Sequence, residues 1–345
     1  MMRKIRLFDF YGKGYPATPM MNTSNMQAAK NMNAFGKSRT PFLFIIDFLM
    51  QQPLIIPLDQ LESHDILFNI NGVTNETQKP SMSDETIRFN LQKPDWKQYM
   101  DSFDQVMKHL RHGNSYLLNL TMPVNITTNL SLKQIYYKSK ARYKLWMKDR
   151  FTVFSPEPFV RIAHGKIFSY PMKGTINAKL PDAMNRLLDD EKEKAEHYTI
   201  VDLIRNDLSM VAENVRVDKF RYVEEITTSK GNLLQTSSLI SGILPENYHE
   251  QLGDLLFALL PAGSVSGAPK QKTLEIIREV ETYQRGYYTG IVGHFNGTGL
   301  DCGVMIRFIE QNNDGLVFKA GGGITINSQP QDEFNELISK VYLTF

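Results

Sequence analysis

The stretch Ile291–Lys340 decides the fold, and it reads IVGHFNGTGLDCGVMIRFIEQNNDGLVFKAGGGITINSQPQDEFNELISK. Short apolar runs bounded by turn residues predict strands at Ile291–Phe295, Cys302–Glu310 and Leu316–Ala320. Apolar positions three and four apart then predict a helix from about Gln329. Three successive strands and one helix are not the regular βαβ alternation of a doubly wound protein. The stretch therefore predicts an α+β fold.

The rest of the chain mixes helices and strands in the same irregular way. Helical periodicity predicts helices at Pro94–Gly113, Leu132–Trp146, 189–212, 249–260 and 270–283. Short apolar runs predict strands at 116–121, 151–154, 159–163, 166–170, 215–224 and 239–244. The first ninety residues are turn-rich, with apolar runs only at Phe42–Phe48 and Leu54–Leu58 and a predicted loop at Asn71–Ser83.

Composition excludes several classes of protein. With 42% hydrophobic and 22% charged residues, the chain is neither disordered nor fibrous, and 345 residues allow one or two domains. Its 39 basic residues against 37 acidic ones give a net charge of +2, which predicts neither nucleic acid nor an anionic membrane surface as the main partner. Cys302 is the single cysteine, so no internal disulfide can form and a reducing compartment is expected.

Targeting signals are not convincing in this sequence. The first sixteen residues carry basic side chains but no apolar stretch of signal-peptide length. The most hydrophobic window, Pro41–Leu58, is interrupted by Asp47, Gln51 and Gln52, whereas a spanning helix needs about 20 mostly apolar residues. We therefore expect a cytoplasmic protein.

Two matched Glu-x-x-Glu pairs are the first candidate site. Glu193 and Glu196 open the helix predicted at 189–212, and Glu333 and Glu336 lie in the closing helix. A spacing of three places both carboxylates of a pair on one helical face. Four oxygen donors suit a hard ion such as Mg²⁺ better than zinc. Taken alone, each pair is better explained as part of a solvent-exposed helix face than as a metal site.

Two glycine-rich stretches are candidate anion sites. Pro261–Lys270 (PAGSVSGAPK) precedes a predicted helix, so its backbone N–H groups and the hydroxyl of Ser264 or Ser266 can face an anion. It lacks the Gly-Lys-Ser/Thr ending of a P-loop. Gly321–Gly323 can bring bare backbone against a carboxylate. Ordinary turn chemistry is the alternative for both stretches, and for an isolated glycine cluster it is the better interpretation.

A carboxyl and an amine form the third candidate. Glu157 precedes Lys173 by sixteen residues, and a hairpin of the strands predicted at 159–163 and 166–170 would place both at one end. They could supply a proton donor and a nucleophile if burial lowers the lysine pKa; an exposed ion pair is the alternative. Arg307 lies inside a run that otherwise reads as a core strand, so its guanidinium needs an anion from the protein or from a ligand.

Five long motifs together resemble the chorismate-utilizing enzymes, a family that includes anthranilate, aminodeoxychorismate, isochorismate and salicylate synthases. The motifs are HYTIVDLIRND (197–207), LLPAGSVSGAPK (259–270), RGYYTGIVGHF (285–295), DCGVMIRF (301–308) and AGGGITINSQPQDEFNELISK (320–340). The resemblance implies two large, mostly antiparallel β-sheets packed face to face with helices outside. It also implies a single domain over 1–345, with a shortened N-terminal part (1–90), expected to add strands to the sheets, and the motifs within 94–345.

The resemblance also assigns roles to residues. Both glutamate pairs fall on the positions that hold Mg²⁺ in the family. Chorismate is the implied substrate, and the residues expected to bind it are Ser264, Lys270, Tyr288, Arg307, Gly322 and Gly323. Of these, Tyr288, Arg307 and the glycine backbone are expected to hold the enolpyruvyl carboxylate.

Two positions distinguish among the family's reactions. Members that hydroxylate chorismate carry a lysine where GNSYLLNLT (113–121) has Leu117, which cannot activate water. Lys173 stands where anthranilate synthases have alanine, and this lysine resembles the nucleophile of the aminodeoxychorismate synthases, with Glu157 as the acid. Gln235 replaces a histidine that is frequent in the family, which fits an enzyme that stops at the amino product.

This branch takes ammonia from a glutamine amidotransferase subunit, and no glutaminase motif surrounds Cys302. We therefore expect a separate amidotransferase partner, and no tryptophan feedback site in the short N-terminal part. Anthranilate synthase component I and a non-catalytic binding paralogue are the alternatives.

Overall fold

Two large β-sheets form the centre of the molecule. The computed structural model describes residues 25–77, 85–228 and 231–345. Its helices are α1 (Asn25–Lys37), α2 (Trp96–Arg111), α3 (Leu132–Lys138), α4 (Ala183–Asp189), α5 (Glu191–Leu208), α6 (Leu252–Leu259), α7 (Gly263–Ser266), α8 (Lys270–Val280) and α9 (Pro330–Ser339). Its strands are β1 (Phe42–Ile46), β2 (Leu54–Pro57), β3 (Ile66–Ile70), β4 (Val73–Thr74), β5 (Phe89–Leu91), β6 (Leu117–Thr128), β7 (Tyr143–Met147), β8 (Phe151–Ser155), β9 (Pro158–Ala163), β10 (Lys166–Ser169), β11 (Met172–Asn177), β12 (Glu213–Thr228), β13 (Gly231–Ile243), β14 (Gly267–Ala268), β15 (Ile291–Phe295), β16 (Leu300–Val304), β17 (Phe308–Asn312) and β18 (Gly315–Ile324).

The strands pair antiparallel in both sheets. Sheet A has the order β11-β13-β10-β9-β16-β15-β1-β2, and β12 pairs with the other edge of β13. Sheet B has the order β14-β6-β18-β17-β8-β7-β3-β4, and β5 pairs with β6. The α+β class is therefore confirmed. Strands from the first ninety residues complete both sheets, as expected.

Three hydrophobic cores hold the layers together, and β1 shows why its sequence is continuously apolar. Leu43 and Ile45 on one face of β1 pack in the core between the sheets, against side chains of β3, β7 and β8. Phe42 and Phe44 on the other face pack with α1 and α6 in a second core. A third core lies between sheet B and helices α2, α8 and α9. Because β1 is buried on both faces, it shows no polar alternation. The face-to-face sheets with helices outside are confirmed.

The strand predicted at Cys302–Glu310 is wrong in one respect that matters for the site. β16 ends at Val304 in sheet A, and β17 begins at Phe308 in sheet B. Between them Arg307 adopts a left-handed backbone conformation with φ of 50°. Most of the run is apolar because the residues on both sides of the crossing are buried, whereas Ile306 and Arg307 at the crossing are half-buried. Arg307 therefore lies at the junction of the sheets.

The helix predicted at Leu132–Trp146 is wrong in its second half. α3 ends at Lys138, and Tyr143–Met147 forms β7, which is fully buried between β3 and β8. Pairing on both edges within sheet B outweighs the local helical periodicity. Helix α1 in the turn-rich first ninety residues was not predicted. The predicted loop at 71–83 contains the short strand β4, and its part after residue 77 lies outside the described residues.

The long helices predicted around α2, α5 and α9 are confirmed to within a few residues. The strands predicted at 215–224 and 239–244 are both longer and pair as β12 and β13. In the part of the chain that the structure describes, no helix has the length and apolar character needed to cross a membrane.

Candidate active site

Glu157 and Lys173 stand on either side of the predicted hairpin, which is confirmed. β9 and β10 pair antiparallel, Glu157 directly precedes β9, and Lys173 is the second residue of β11. The two side chains nevertheless have different partners. Lys173 Nζ lies 2.6 Å from Glu196 Oε2, whereas Glu157 Oε1 accepts a 2.7 Å hydrogen bond from Ser264 Oγ. The predicted acid–amine pair is therefore not in direct contact in this structure.

Helix α5 presents the first glutamate pair toward β11. Asp190 caps the helix by accepting a 2.9 Å hydrogen bond from the Glu193 backbone N–H, so α5 begins just before the pair. Glu193 and Glu196 then project from one face of the first two turns. A Cβ atom placed on Gly174 would lie 3.1 Å from Glu193 Oε2. Glycine at this position of β11 leaves room for that carboxylate.

Helix α9 presents the second pair. Pro330 occupies the first turn of the helix. Glu333 is buried, and its Oε1 atom accepts a 2.8 Å hydrogen bond from Ser328 Oγ. Glu336 forms a 2.8 Å ion pair with Lys340, one helical turn further on. Both carboxylates are thus held by neighbouring side chains.

The charges of the two glutamate pairs affect each other's pKa values. The pKa of Glu193 is raised by burial and further by the negative charges of Glu196 and Glu336, although Lys173 opposes the rise. The pKa of Glu333 is raised by burial and by the charges of Glu336 and Glu196. Burial also raises the pKa of Glu336, but Lys340 and Lys173 outweigh it and leave this pKa below its ordinary value. Glutamates 140 positions apart in the sequence are therefore near enough for their charges to affect one another.

The protonation of Lys173 differs from the expectation. Burial alone would lower its pKa, but the charges of Glu196, Glu193 and Glu336 outweigh burial and raise it. In this arrangement Lys173 is an ammonium ion bound to a carboxylate. The sequence-based condition that burial lowers the pKa of Lys173 is not met in this arrangement, because the nearby glutamate charges outweigh burial.

The four glutamates fit a hard cation by composition and charge. Glu193 Oε2 is buried and has no hydrogen-bond partner among the described residues, and a buried carboxylate oxygen without a partner is costly unless a cation meets it. Oxygen donors are the ligands Mg²⁺ prefers. Over 25–77, 85–228 and 231–345, no three His, Cys, Asp or Glu side chains are grouped as a metal site. Lys173 and Lys340 hold one glutamate of each pair, and the Mg²⁺ site stays a prediction.

Arg307 and Tyr288 lie close to Glu157 at the junction of the sheets. Burial raises the pKa of the Glu157 carboxyl, whereas the Ser264 hydrogen bond and the charges of Arg307 and Lys340 lower it in part. The pKa of Tyr288 is raised, mainly by burial. The negative charge of Glu157 adds to the rise, and the positive charge of Arg307 opposes it. The Nε atom of Arg307 is buried without a hydrogen-bond partner in the described part of the chain. The guanidinium thus keeps a donor for an anion.

The glycine run lies within a strand, so the turn interpretation is wrong for it. Gly321, Gly322 and Gly323 belong to β18 and pair with β6 along one edge, whereas the ladder with β17 ends at Lys319. A Cβ on Gly322 would lie 3.6 Å from both Glu333 Oε2 and Lys340 Nζ. The bare backbone therefore borders the α9 carboxylates.

Leu117 also lies near this strand. Its Cδ1 atom is 3.0 Å from the position of a Cβ on Gly323. An apolar side chain therefore stands next to the glycine run, where a lysine would be needed to activate water. Gln235 lies on β13 opposite Thr175, two residues beyond Lys173.

Lys270 is placed differently from the other predicted substrate ligands. Its Nζ atom lies 3.1 Å from Asp207 Oδ2 and 2.8 Å from the Leu259 carbonyl oxygen. These bonds tie the start of α8 to the end of α5. Ser266, the alternative to Ser264, donates its hydroxyl to the Ala262 carbonyl and is fully buried. Of the two serines, Ser264 is the one directed at Glu157.

Sequence reasoning missed Lys340 and His197. Lys340 Nζ contacts Glu336 and donates a 2.9 Å hydrogen bond to the Gly321 carbonyl, linking α9 to the glycine run. Its spacing of four from Glu336 was an available signal. His197 is fully buried, 2.7 Å from Ser238 Oγ, and burial lowers its pKa to about 4. It is therefore a neutral support behind β11.

Comparison with known proteins shows the family. Residues 54–344 match the family model described as chorismate binding enzyme, so the chain belongs to the chorismate binding enzymes. It is 54% identical over 324 residues to an uncharacterized PabA-like protein of Haemophilus influenzae, covering 94% of this chain and 98% of that protein.

Two further relatives are informative. Aminodeoxychorismate synthase component 1 of Escherichia coli is 32% identical over 261 residues, which cover 71% of this chain and 56% of that enzyme. The chain thus spans about half the length of this relative. The menaquinone-specific isochorismate synthase of Escherichia coli superposes with a TM-score of 0.70 at 16% identity, covering 92% of this chain and 81% of that one. At that identity the likeness concerns the fold alone.

Proposed function

We propose that this chain acts as component I of an aminodeoxychorismate synthase, which converts chorismate and ammonia into 4-amino-4-deoxychorismate, the precursor of p-aminobenzoate and folate. The observation that carries the proposal is Lys173 on β11, with its Nζ atom 2.6 Å from one of four clustered glutamates. An amine in this position can attack a substrate ring bound against those carboxylates. The relative of this activity supports the choice at 32% identity.

Substrate binding is assigned to two groups of residues. Tyr288, Arg307 and the backbone of Gly322 and Gly323 would hold the enolpyruvyl carboxylate, with the Arg307 guanidinium supplying the charge-assisted hydrogen bonds. Glu193, Glu196, Glu333 and Glu336 would hold Mg²⁺. When bound, this ion would neutralise the carboxylates and bind the ring carboxylate of chorismate.

The reaction would proceed by two substitutions with allylic shift. Neutral Lys173 forms a bond from Nζ to C2 of chorismate, both double bonds of the ring shift by one position toward C4, and the C4–O bond breaks while Glu157 donates a proton so that water leaves. Ammonia then attacks C4, both double bonds shift back, the bond from C2 to Lys173 breaks with its electron pair returning to Nζ, and the new C4 ammonium returns a proton to the Glu157 carboxylate. Burial keeps the Glu157 pKa raised, as a proton donor requires.

Lys173 cannot attack while it is bound to Glu196. The contact raises the lysine pKa, and an ammonium group has no lone pair. Transfer of Glu196 to another cation, together with loss of a proton from Lys173, would free the amine. Catalysis therefore requires the Lys173–Glu196 contact to open.

Ammonia is assigned to a partner chain. Cys302 is fully buried, and burial raises the pKa of its thiol well above the ordinary value. A buried, protonated thiol cannot serve as a glutaminase nucleophile. We propose that a separate glutamine amidotransferase subunit supplies the ammonia, in the cytoplasm.

Product identity tests the proposal. The protein is incubated with chorismate, Mg²⁺ and ammonium, with and without an added aminodeoxychorismate lyase, and the products are separated by chromatography. We expect p-aminobenzoate only when the lyase is present. Anthranilate formed without the lyase would assign the chain to anthranilate synthase component I, and unchanged chorismate would favour a non-catalytic binding protein.

A further inference from the structure

A buried ion pair lies behind the segments assigned to substrate binding. Arg285 Nη2 is 2.7 Å from Glu281 Oε1 and Arg285 Nε is 2.8 Å from Glu281 Oε2, so the contact is bidentate. Both side chains are 2% exposed. Glu281 follows α8, and Arg285 lies in the link from α8 to β15. Neither residue is among those assigned to substrate, metal or proton transfer.

Arg285 uses every N–H donor of its guanidinium inside the protein. Besides the two bonds to Glu281, Nη2 donates to the Asn119 carbonyl at 2.6 Å. Nη1 donates to the Val265 carbonyl at 2.8 Å and to Thr289 Oγ1 at 3.3 Å. Arginine has five such donors, so none remains for a ligand. Any role of Arg285 in the site must act through the residues that it holds.

Two of these partners neighbour proposed substrate ligands along the chain. Val265 directly follows Ser264, which donates to Glu157. Thr289 directly follows Tyr288 and has a left-handed backbone with φ of 62°. Arg285 therefore ties the turn that carries Ser264 to the turn that carries Tyr288.

The third connection leads to the glycine run. Glu281 Oε1 accepts hydrogen bonds from the backbone N–H of Thr121 at 2.9 Å and from its hydroxyl at 2.8 Å. In the β6–β18 ladder, Thr121 pairs with Gly321 and Asn119 pairs with Gly323. The ion pair thus forms hydrogen bonds with Thr121 and Asn119 of β6, which pair with the first and last residues of the glycine run.

We propose that Glu281 and Arg285 are positioning residues that fix the Ser264 turn, the Tyr288 turn and the glycine run relative to one another. This inference rests on the substrate-binding roles proposed above. A buried ion pair commonly adds little net stability, because desolvation of the charges offsets their attraction. The contribution of this pair is to hold neighbouring segments in fixed relative positions. It joins three segments, far apart in the sequence, that must meet one substrate together.

A double variant tests the proposal. In Glu281→Gln with Arg285→Met both charges are removed, and Met keeps an unbranched apolar chain in place of Arg. The control is Glu76→Gln with Lys144→Met, which removes another buried pair whose charged atoms lie 3.6 Å apart; Glu76 is 7% and Lys144 8% exposed, and neither is assigned to the site. Arg285→Lys adds an intermediate case, because lysine keeps the charge but has three donors instead of five.

Chorismate affinity by calorimetry, KM and kcat with ammonium, and thermal melting are measured for all proteins. We expect the first double variant to weaken chorismate binding and raise KM by at least about tenfold, within the roughly hundredfold that a 1 Å misplacement can cost. Arg285→Lys should be intermediate, and the control should bind like wild type. The melting temperature should fall further in the first double variant than in the control, because Arg285 loses five hydrogen bonds, so affinity and KM are compared at a temperature at which both variants are folded.

Three results would overturn the proposal. Unchanged affinity and KM in a folded double variant or in folded Arg285→Lys would mean that the pair does not position the site. A kcat that falls in proportion to the fraction of folded protein, with KM unchanged, would mean that the pair has a structural role only. Unfolding of both the double variant and Arg285→Lys would mean the same. Chorismate affinity is measured without reference to the product formed. Wild type that binds chorismate but makes another product would therefore refute only the proposed function. Wild type that does not bind chorismate refutes both.

Discussion

Lys173 Nζ and Glu196 Oε2 are 2.6 Å apart, so the proposed nucleophile is bound to a proposed metal ligand. The contact gives each group a second function. Glu196 favours the protonated form of Lys173, and Lys173 neutralises part of the charge of four carboxylates; burial, and after it the negative charges of the other glutamates, raises the pKa of Glu193 and Glu333. Lys173 therefore offsets only part of the negative charge of the site before any reaction takes place.

Replacing Lys173 separates its two functions. We expect Lys173→Ala to reduce formation of aminodeoxychorismate with ammonium by at least about 10³-fold, because the variant lacks the proposed nucleophile. Lys173→Arg should be equally inactive although it can still pair with Glu196. The assay is the coupled production of p-aminobenzoate, with exposed Lys179→Ala as the control. Substantial activity in either Lys173 variant would remove this lysine from the mechanism.

Replacing Glu336 tests the cation site. We expect Glu336→Ala to raise the Mg²⁺ concentration for half-maximal activity by at least about tenfold, since even outer partners of metal ligands contribute about 10- to 100-fold in affinity. Direct titration with Mn²⁺ by electron paramagnetic resonance should show the same loss. Glu191→Ala removes a highly exposed carboxylate of α5 that pairs with Lys194 and should change neither titration. Identical metal titrations for Glu336→Ala and wild type would place the ion elsewhere.

Replacing Ser264 tests the proton donor through the pH dependence. If protonated Glu157 is required, kcat falls as pH rises through the Glu157 pKa, which burial holds above its ordinary value. The Ser264 hydrogen bond lowers that pKa, so Ser264→Ala should raise it and move the falling limb to higher pH. Ser264→Thr keeps a hydroxyl and should leave the limb in place, and Glu157→Gln should abolish it. A limb that moves to lower pH in Ser264→Ala would contradict this assignment.

Two neighbouring glycines should separate stability from function. A Cβ on Gly321 would lie 2.5 Å from the Leu120 carbonyl oxygen, so Gly321→Ala should destabilise the fold by about 1–3 kcal/mol. A Cβ on Gly322 meets only side-chain tips at 3.6 Å or more, so Gly322→Ala should fold normally.

Gly322→Ala should nevertheless weaken chorismate binding, because the methyl group of the new alanine covers the backbone beside Glu333 and Lys340. Thermal melting and calorimetry check both variants. Normal chorismate affinity in Gly322→Ala would exclude this backbone from the site.

Much of the fold was predictable because it depends on local periodicity. Helices α2, α5 and α9 and the β9–β10 hairpin follow from apolar spacing and turn residues, and they were predicted to within a few residues. The failures occur where pairing across a sheet outweighs local preference. β7 has helical periodicity but lies between two strands, and the run 302–310 is divided because the chain changes sheets at Arg307.

The sequence by itself determined the family, the α+β class and the types of chemical group at the site. Motifs and periodicity are local, and the type of functional group that each residue carries is written in the sequence. Only the tertiary structure decided which groups meet. Lys173 contacts Glu196 instead of Glu157, and Lys340 joins Glu336 to the glycine run. These contacts depend on how two sheets and two distant helices pack, and the lysine pKa follows from the charges that packing brings near it.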